Sequence, residues 1–377
     1  MTLSVSRVGS FAEIRAEEWD ALVGDGSPFL EHLFLEALQR FECATPATGW
    51  TARIVCVRDG ERLVGAAPAW VKSHSMGEFV YDHAWADAAR RAGLRYYPKL
   101  IVGVPFTPVG GKRLLIHPDA DADAVGSALL RGLEEAARDC HGLHVLFDTE
   151  AEATTLATRG AFPRLQYQFH WSNAGYRTFE DWVCTFPSDK RNKIRRERKE
   201  LRGLRIDAIT HPSPSVLDAL HAFHRNTASQ FGPWGHVYLS SAMFRYLGEA
   251  WGDRLHAVVA RDGDRMVAGA FNVLKGDRLY GRYWGTDDNV RFLHFEVCYY
   301  RAIEDCIARG VGTFEPGHGG GHKYRRGFVP TITYSNHRLA DPRLHEALRR
   351  YSVEEAAAVR REVEVLAGRL PGAARSD

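Results

Sequence analysis

The chain contains itself twice. Arg58-Asp-Gly-Glu-Arg-Leu-Val-Gly-Ala-Ala-Pro-Ala-Trp-Val-Lys72 lines up with Arg261-Asp-Gly-Asp-Arg-Met-Val-Ala-Gly-Ala-Phe-Asn-Val-Leu-Lys275. Each segment reads as a strand, a tight Asp-Gly turn and an apolar strand, which is the signature of a hairpin. The run ARIVCV before the first turn corresponds to HAVVA before the second. A helix with apolar residues at helical spacing precedes each hairpin, over 29–41 and 238–251. A helix and a strand follow each: Arg131-Gly-Leu-Glu-Glu leads through Gly142 to LHVLFDTE, and Arg301-Ala-Ile-Glu-Asp leads through Gly312 to TFEPGHG. Three matched elements in one order predict a duplicated domain. Asp-Gly hairpins impose antiparallel neighbours, and a helix between two strands permits a parallel crossover. Each copy should therefore hold a mixed sheet flanked by helices, α/β in class with α+β character. The expected boundaries are 1–165 for the first copy, 166–340 for the second and 341–377 for a C-terminal extension. In that extension, 342–370 reads as a polar helix and the tail PGAARSD as frayed.

Composition agrees. A chain of 377 residues suits two domains, and 45% apolar with 25% charged residues excludes wholesale disorder. No apolar run approaches the roughly 20 residues of a membrane span, and the first residues lack the apolar core of a secretory signal. Cys43, Cys56, Cys140, Cys184, Cys298 and Cys306 are scattered without a C-x-x-C pair. That pattern offers neither a disulfide framework nor a zinc site and suits a reducing cytosol. The expectation is a cytoplasmic protein without membrane insertion, with no metal and no tightly bound cofactor; its oligomeric state is open. Net charge is only +2, but 188–205 holds nine basic and three acidic residues, leaving the rest of the chain mildly acidic. Such segregation is the footprint of an anionic ligand.

The duplicate, joined by FPSDKRNKIRRERKELRGLRI (186–206), resembles the FemAB-like branch of the GNAT acyltransferase superfamily, and more closely a bacterial group of N-acyltransferases. The resemblance is carried by long strings: 49–88, 93–115, LHVLFDTE (143–150), QFHWSN (168–173), LYGRYWG (279–285), FLHFEVCYYRAIE (292–304) and FEPGHGGGHKYRRGF (314–328). It implies tandem GNAT-like domains with an acceptor side first and a donor or catalytic side second. FemAB relatives move an amino acid from aminoacyl-tRNA to an amine, whereas simpler GNAT enzymes use acyl-CoA. The loop after FEPG departs from the group, placing Gly319 and Gly321 where relatives carry Gln and Glu.

Four constellations bear chemistry. On a helix over 188–205, Arg191, Arg195, Arg198 and Arg202 form one stripe and Ile194 and Leu201 another. Arginine forks bind phosphate oxygens in pairs and keep their charge, so the stripe is a donor-phosphate candidate. In FEPGHGGGHKYRRG, Glu315 should end a strand as a general base. Gly319, Gly320 and Gly321 would expose N–H groups to an oxyanion or to the donor, which Arg326 would also bind, with His322 and Lys323 beside them in catalytic roles. Tyr283 and Trp284 mark the donor's reactive end, and Glu296 is the alternative base. In the first domain Lys72, Glu78, Asp82, His83 and Trp85 suggest an acceptor pocket, with Glu78 and Asp82 holding an amine; aromatic core formation accounts for them equally well. HGGG lacks the G-x-S-x-G elbow of an esterase, and no P-loop or dinucleotide fingerprint is present. The reading is an N-acyltransferase taking an aminoacyl group from aminoacyl-tRNA to a small-molecule amine. Alternatives are the same chemistry from acyl-CoA or an acyl carrier protein, and a non-catalytic binding module.

Overall fold

The computed structural model describes residues 3–232 and 235–370, so the tail read as frayed lies outside the described residues. The chain divides into two units, residues 1–167 with 332–361, and residues 168–331 with 362 onward. Residues 332–361 thus belong with the first unit, whereas the sequence placed them in the second domain and the extension. The cause is strand pairing: the strand Val329–Leu339 runs antiparallel to Gly142–Asp148, with Leu339 opposite Gly142. The C-terminal helix spans Pro342–Ala367.

In the first unit Leu3–Val8, Ile54–Asp59, Arg62–Ala67 and Leu115–Ile116 form an antiparallel sheet in that order. The helix Ala122–Ala136 closes one face, joining Val125, Ala128, Leu129 and Leu133 to Val55, Val57 and Val64 in one core. Pro68 then diverts the chain: without an N–H it ends the strand Arg62–Ala67. The next four residues, Ala69–Lys72, join a second sheet, between Trp50–Ala52 and Lys99–Val102. The matching strand of the second unit, Arg265–Lys275, has no proline and continues unbroken.

The second unit orders its strands Arg205–Thr210, Leu255–Asp262, Arg265–Lys275, Arg278–Thr286, Thr313–Glu315 and the end of Phe162–Ser172. Both predicted hairpins form. Asp59 faces Arg62 and Asp262 faces Arg265, with Gly60 (φ 61°) and Gly263 (φ 55°) in the left-handed conformation that the turns demand. Each unit also has one parallel pair reached through a helix, Leu100 beside Leu143 and Leu279 beside Phe314. The order strand, helices, hairpin, strand, helix, strand is common to both units, the first adding Trp50–Ala52, the helix His83–Arg91 and Leu115–Ile116 to it; the opening strand escaped the sequence comparison.

Candidate functional site

The basic segment is a helix only from Ser188 to Glu200; Leu201 caps it and Arg205 already opens a strand. Its arginines do not form the free stripe that the spacing predicted. Arg198 turns inward, its Nε and Nη2 donating to Glu296 at 2.9–3.1 Å and its Nη2 to Glu304 at 2.8 Å, with the guanidinium 4.4 Å over the Phe179 ring. Arg191 donates to the Phe186 carbonyl at 2.8 Å, Arg195 pairs with Glu180, and Arg202 lies exposed beyond the helix end. The reason is geometric. Ile194 and Leu201 are buried, and residues three and four beyond Ile194 share its face, so Glu197 and Arg198 are carried inward with it.

The neighbouring face borders a cavity of about 410 Å³, and none of the four arginines is among its lining residues. Lys190 and Lys193 from the helix meet Tyr324 and Arg325 from the turn after the glycine loop. Its floor is a buried cluster. Tyr300 donates its hydroxyl hydrogen to Glu197 at 2.6 Å, and Arg326 donates to Tyr300 at 3.0 Å and to both Glu197 oxygens at 3.2 Å. Thus the basic helix and the turn that follows the glycine loop border one cavity, with Lys190, Lys193 and Arg325 as its outer cations and Asp189 among its lining. Arg326, expected to bind donor, is spent on protein partners.

Glu315 ends the strand Thr313–Glu315, as expected, and is buried. Arg278 from the parallel neighbour pairs with its Oε1, while its Oε2 lies 3.8 Å from His170 Nε2. Burial first, then the Arg278 and Lys323 charges, lowers the His170 pKa against the opposing pull of Glu315, leaving a neutral imidazole. The loop beyond turns on Gly317, Gly319 and Gly320, with φ of 84°, 72° and 85°. It folds back so that the buried Lys323 donates to the Gly317 carbonyl at 2.6 Å. Burial brings this ammonium down to about 8. Its charge reaches His294 and His318, whose pKa values burial and neighbouring cations depress to about 3 and about 4. His322, half-buried, is hydrogen-bonded to the Tyr299 hydroxyl at 2.9 Å. Trp284 faces His294 at 4.7 Å between ring centres, whereas Tyr283 packs beside His224, Phe244 and Phe271.

Glu296 opens a five-residue π-helical turn, Glu296–Tyr300. Burial raises its pKa and Arg198 opposes that, with both carboxylate oxygens held by the guanidinium fork. A carboxylate gripped at both oxygens is a structural anchor, not a free base.

In the first unit two of the expected acceptor residues, Glu78 and Asp82, are tied to an internal lysine. Lys99 is fully buried and bonds Glu78 at 2.7 Å and also Asp82, which accepts from the Tyr96 hydroxyl at 2.6 Å. An internal ammonium thus sits where an acceptor amine was expected. Burial raises Glu78 to about 7; it would do the same to Asp82, but the Lys99 charge wins and holds that carboxyl down. Lys72 is buried 4.7 Å over the Trp50 ring, its pKa lowered to about 7 chiefly by burial and by Lys99. His83 begins the helix His83–Arg91, and Trp85 is core, 4.8 Å from His337 and under the Arg164 guanidinium.

Sequence reasoning gave His170 and Arg278 no role, set Lys99 beside the acceptor residues without pairing it to them, and left Glu197 on a solvated face. For Glu197 a signal existed in its spacing from Ile194; His170 and Arg278 come from strands distant in sequence from Glu315, and only sheet order brings them together. Among the described residues no helix is long and apolar enough to cross a membrane.

The FemAB-like family model, described as peptidoglycan biosynthesis/recognition, matches residues 10–373. No curated protein matches the sequence. The crystal structure of FemX is similar, with a TM-score of 0.52 at 12% identity over 93% of this chain and 100% of that one. So is the C-terminal DUF2156 domain of a candidate lysylphosphatidylglycerol synthetase from Agrobacterium fabrum, at 0.51 and 10% identity over 97% and 99%. A conserved protein of unknown function from Bacteroides thetaiotaomicron gives 0.50 and 12% identity over 89% and 99%.

Proposed function

The chain belongs to the FemAB-like family and is an acyltransferase, and from that premise we propose that it moves an aminoacyl group from aminoacyl-tRNA to a primary amine. The observation carrying this reading is the grouping at one strand end of buried Glu315 and His170, with the buried Lys323 turned back on the loop that follows. Amide formation needs a proton acceptor for the attacking amine and positive charge for the tetrahedral oxyanion. Glu315, with Oε2 outside the Arg278 pair, and His170 take the amine proton. Lys323 and the N–H groups of Gly319–Gly321 stabilise the oxyanion. The C–N bond forms, the carrier's C–O bond breaks, and the proton leaves on the carrier oxygen. No covalent enzyme intermediate is required.

The carrier's phosphates occupy the cavity lined by Lys190, Lys193 and Arg325, and exposed Arg196, Lys199 and Arg202 extend the positive surface for a longer polyanion. The limited volume of that cavity favours one second reading, acyl-CoA with its diphosphate between the same cations and a C–S bond broken instead. The family's description points to an amine on a peptidoglycan precursor as the acceptor. Mass spectrometry of ligand retained through purification, with and without ribonuclease treatment, tests the donor. Release of aminoacyl-adenosine only after ribonuclease is expected; a retained CoA thioester unaffected by ribonuclease would select the second reading, and a phosphate-free ligand would contradict both.

A further inference from the structure

We propose that Arg326 is a positioning residue that locks the turn bearing Lys323 to the floor of the basic cavity, and that it does not bind the carrier's anion. This deepens the acyl-transfer reading and rests on it. Arg326 is buried, and every edge of its guanidinium is occupied. Nε donates to Tyr300, Nη2 to both oxygens of Glu197, and Nη1 to the His322 carbonyl at 3.3 Å, while the plane stacks 3.3 Å from the centre of the Phe295 ring. An anion entering the cavity therefore finds its donors on Lys190, Lys193 and Arg325, and would have to break a buried ion pair to reach Arg326.

The same residue closes the loop. Its backbone N–H donates to the Lys323 carbonyl at 2.8 Å, and Lys323 N–H donates to Gly320 at 2.9 Å. Gly327 follows at φ 76°, so close to Phe186 that an added Cβ would lie 2.8 Å from the ring. The π-helical turn supplies the counterpart, because consecutive Tyr299 and Tyr300 reach His322 and the Glu197–Arg326 pair. A π turn widens the helix by one residue and so re-aims the side chains along it. Helix, π turn and glycine loop are thereby fastened through one guanidinium, and Lys323 is held dry beside Gly317.

The test is competitive labelling of Lys323 with acetic anhydride across pH 6–10, read by peptide mass spectrometry, paired with titration of inorganic pyrophosphate. The groups facing the Lys323 amine are the Gly317 and His318 carbonyls, the Cys298 thiol and the imidazoles of His170, His294, His318 and His322. In Arg326→Gln the freed turn hydrates Lys323, and its labelling midpoint rises from about 8 by at least a unit toward the ordinary lysine range, while pyrophosphate affinity stays within about twofold of wild type. An unchanged midpoint, or a tenfold loss of pyrophosphate affinity, overturns the proposal. If Arg326→Gln does not fold, Tyr300→Phe removes the hydroxyl that accepts from Arg326 and donates to Glu197, and should raise the midpoint in the same direction; no movement there is equally fatal. Neither readout needs turnover. Wild-type protein that fails to bind pyrophosphate would count against the carrier site, leaving the midpoint to decide the role of Arg326.

Discussion

Two buried carboxylates in the second unit differ in how they are held. Glu296 has both oxygens in the Arg198 fork, whereas Glu315 gives Oε1 to Arg278 and leaves Oε2 toward His170. The account therefore predicts that Glu315→Gln lowers the rate of acyl transfer by about a hundredfold or more, the usual share of a general base, with the fold retained. A rate within about threefold of wild type would remove Glu315 from the proton path. Arg198 tests the opposite role. Arg198→Ala strands Glu296, 5% exposed, and should cost on the order of 2–3 kcal/mol, read as a lower midpoint of urea unfolding. No change in midpoint would show that Glu296 is not held by that fork.

At the scale of elements, hairpins, glycine turns and the repeated order were legible because each depends on residues close in sequence. Orientation of the basic helix was only half legible. Spacing puts the four arginines on one stripe and Ile194 on another, yet positions three and four beyond Ile194 share its inner face, so Arg198 lies inward with Glu197. The Glu78–Asp82 site failed for another reason. Its ammonium, Lys99, comes from a neighbouring strand in register with Lys72, and no local spacing announces a cross-strand partner. Close helix-to-strand contact offers a separate test. Gly285 sits where a Cβ would lie 2.0 Å from the Phe223 carbonyl oxygen, backbone that cannot swing aside. Gly285→Ala should push the helix Pro214–Ser229 off its strand and cost about 2–3 kcal/mol or more. A thermal midpoint equal to wild type would refute that contact.

For the whole molecule, the duplication set the architecture and buried ionisable groups set its response to pH. His144, His224, His294, His318 and His337 are held neutral by burial, with pKa values of about 3, 4, 3 and 4 for the first four and well below ordinary for the last. Unfolding lets each take up a proton below its unfolded pKa, so their stabilisation is lost as pH falls from about 6.5 toward 4. Burial raises the carboxyls of Glu78 and Asp148 to about 7, which acts in the opposite sense over the same window. The depressed imidazoles outnumber the raised carboxyls, so the net effect is a loss of stability as pH falls through this window. Denaturant midpoints measured between pH 4.5 and 7 should fall steeply with acid; a flat profile would show that these imidazoles are hydrated.

Acyl transfer itself is tested most directly by incubating the protein with radiolabelled aminoacyl-tRNA, and separately with labelled acyl-CoA, beside an amine-bearing peptidoglycan precursor. The account predicts label appearing in the acceptor as an alkali-stable amide from the tRNA donor, abolished by ribonuclease and slowed about a hundredfold or more by Glu315→Gln. Donor that binds the second unit yet yields no amide from either carrier would contradict it.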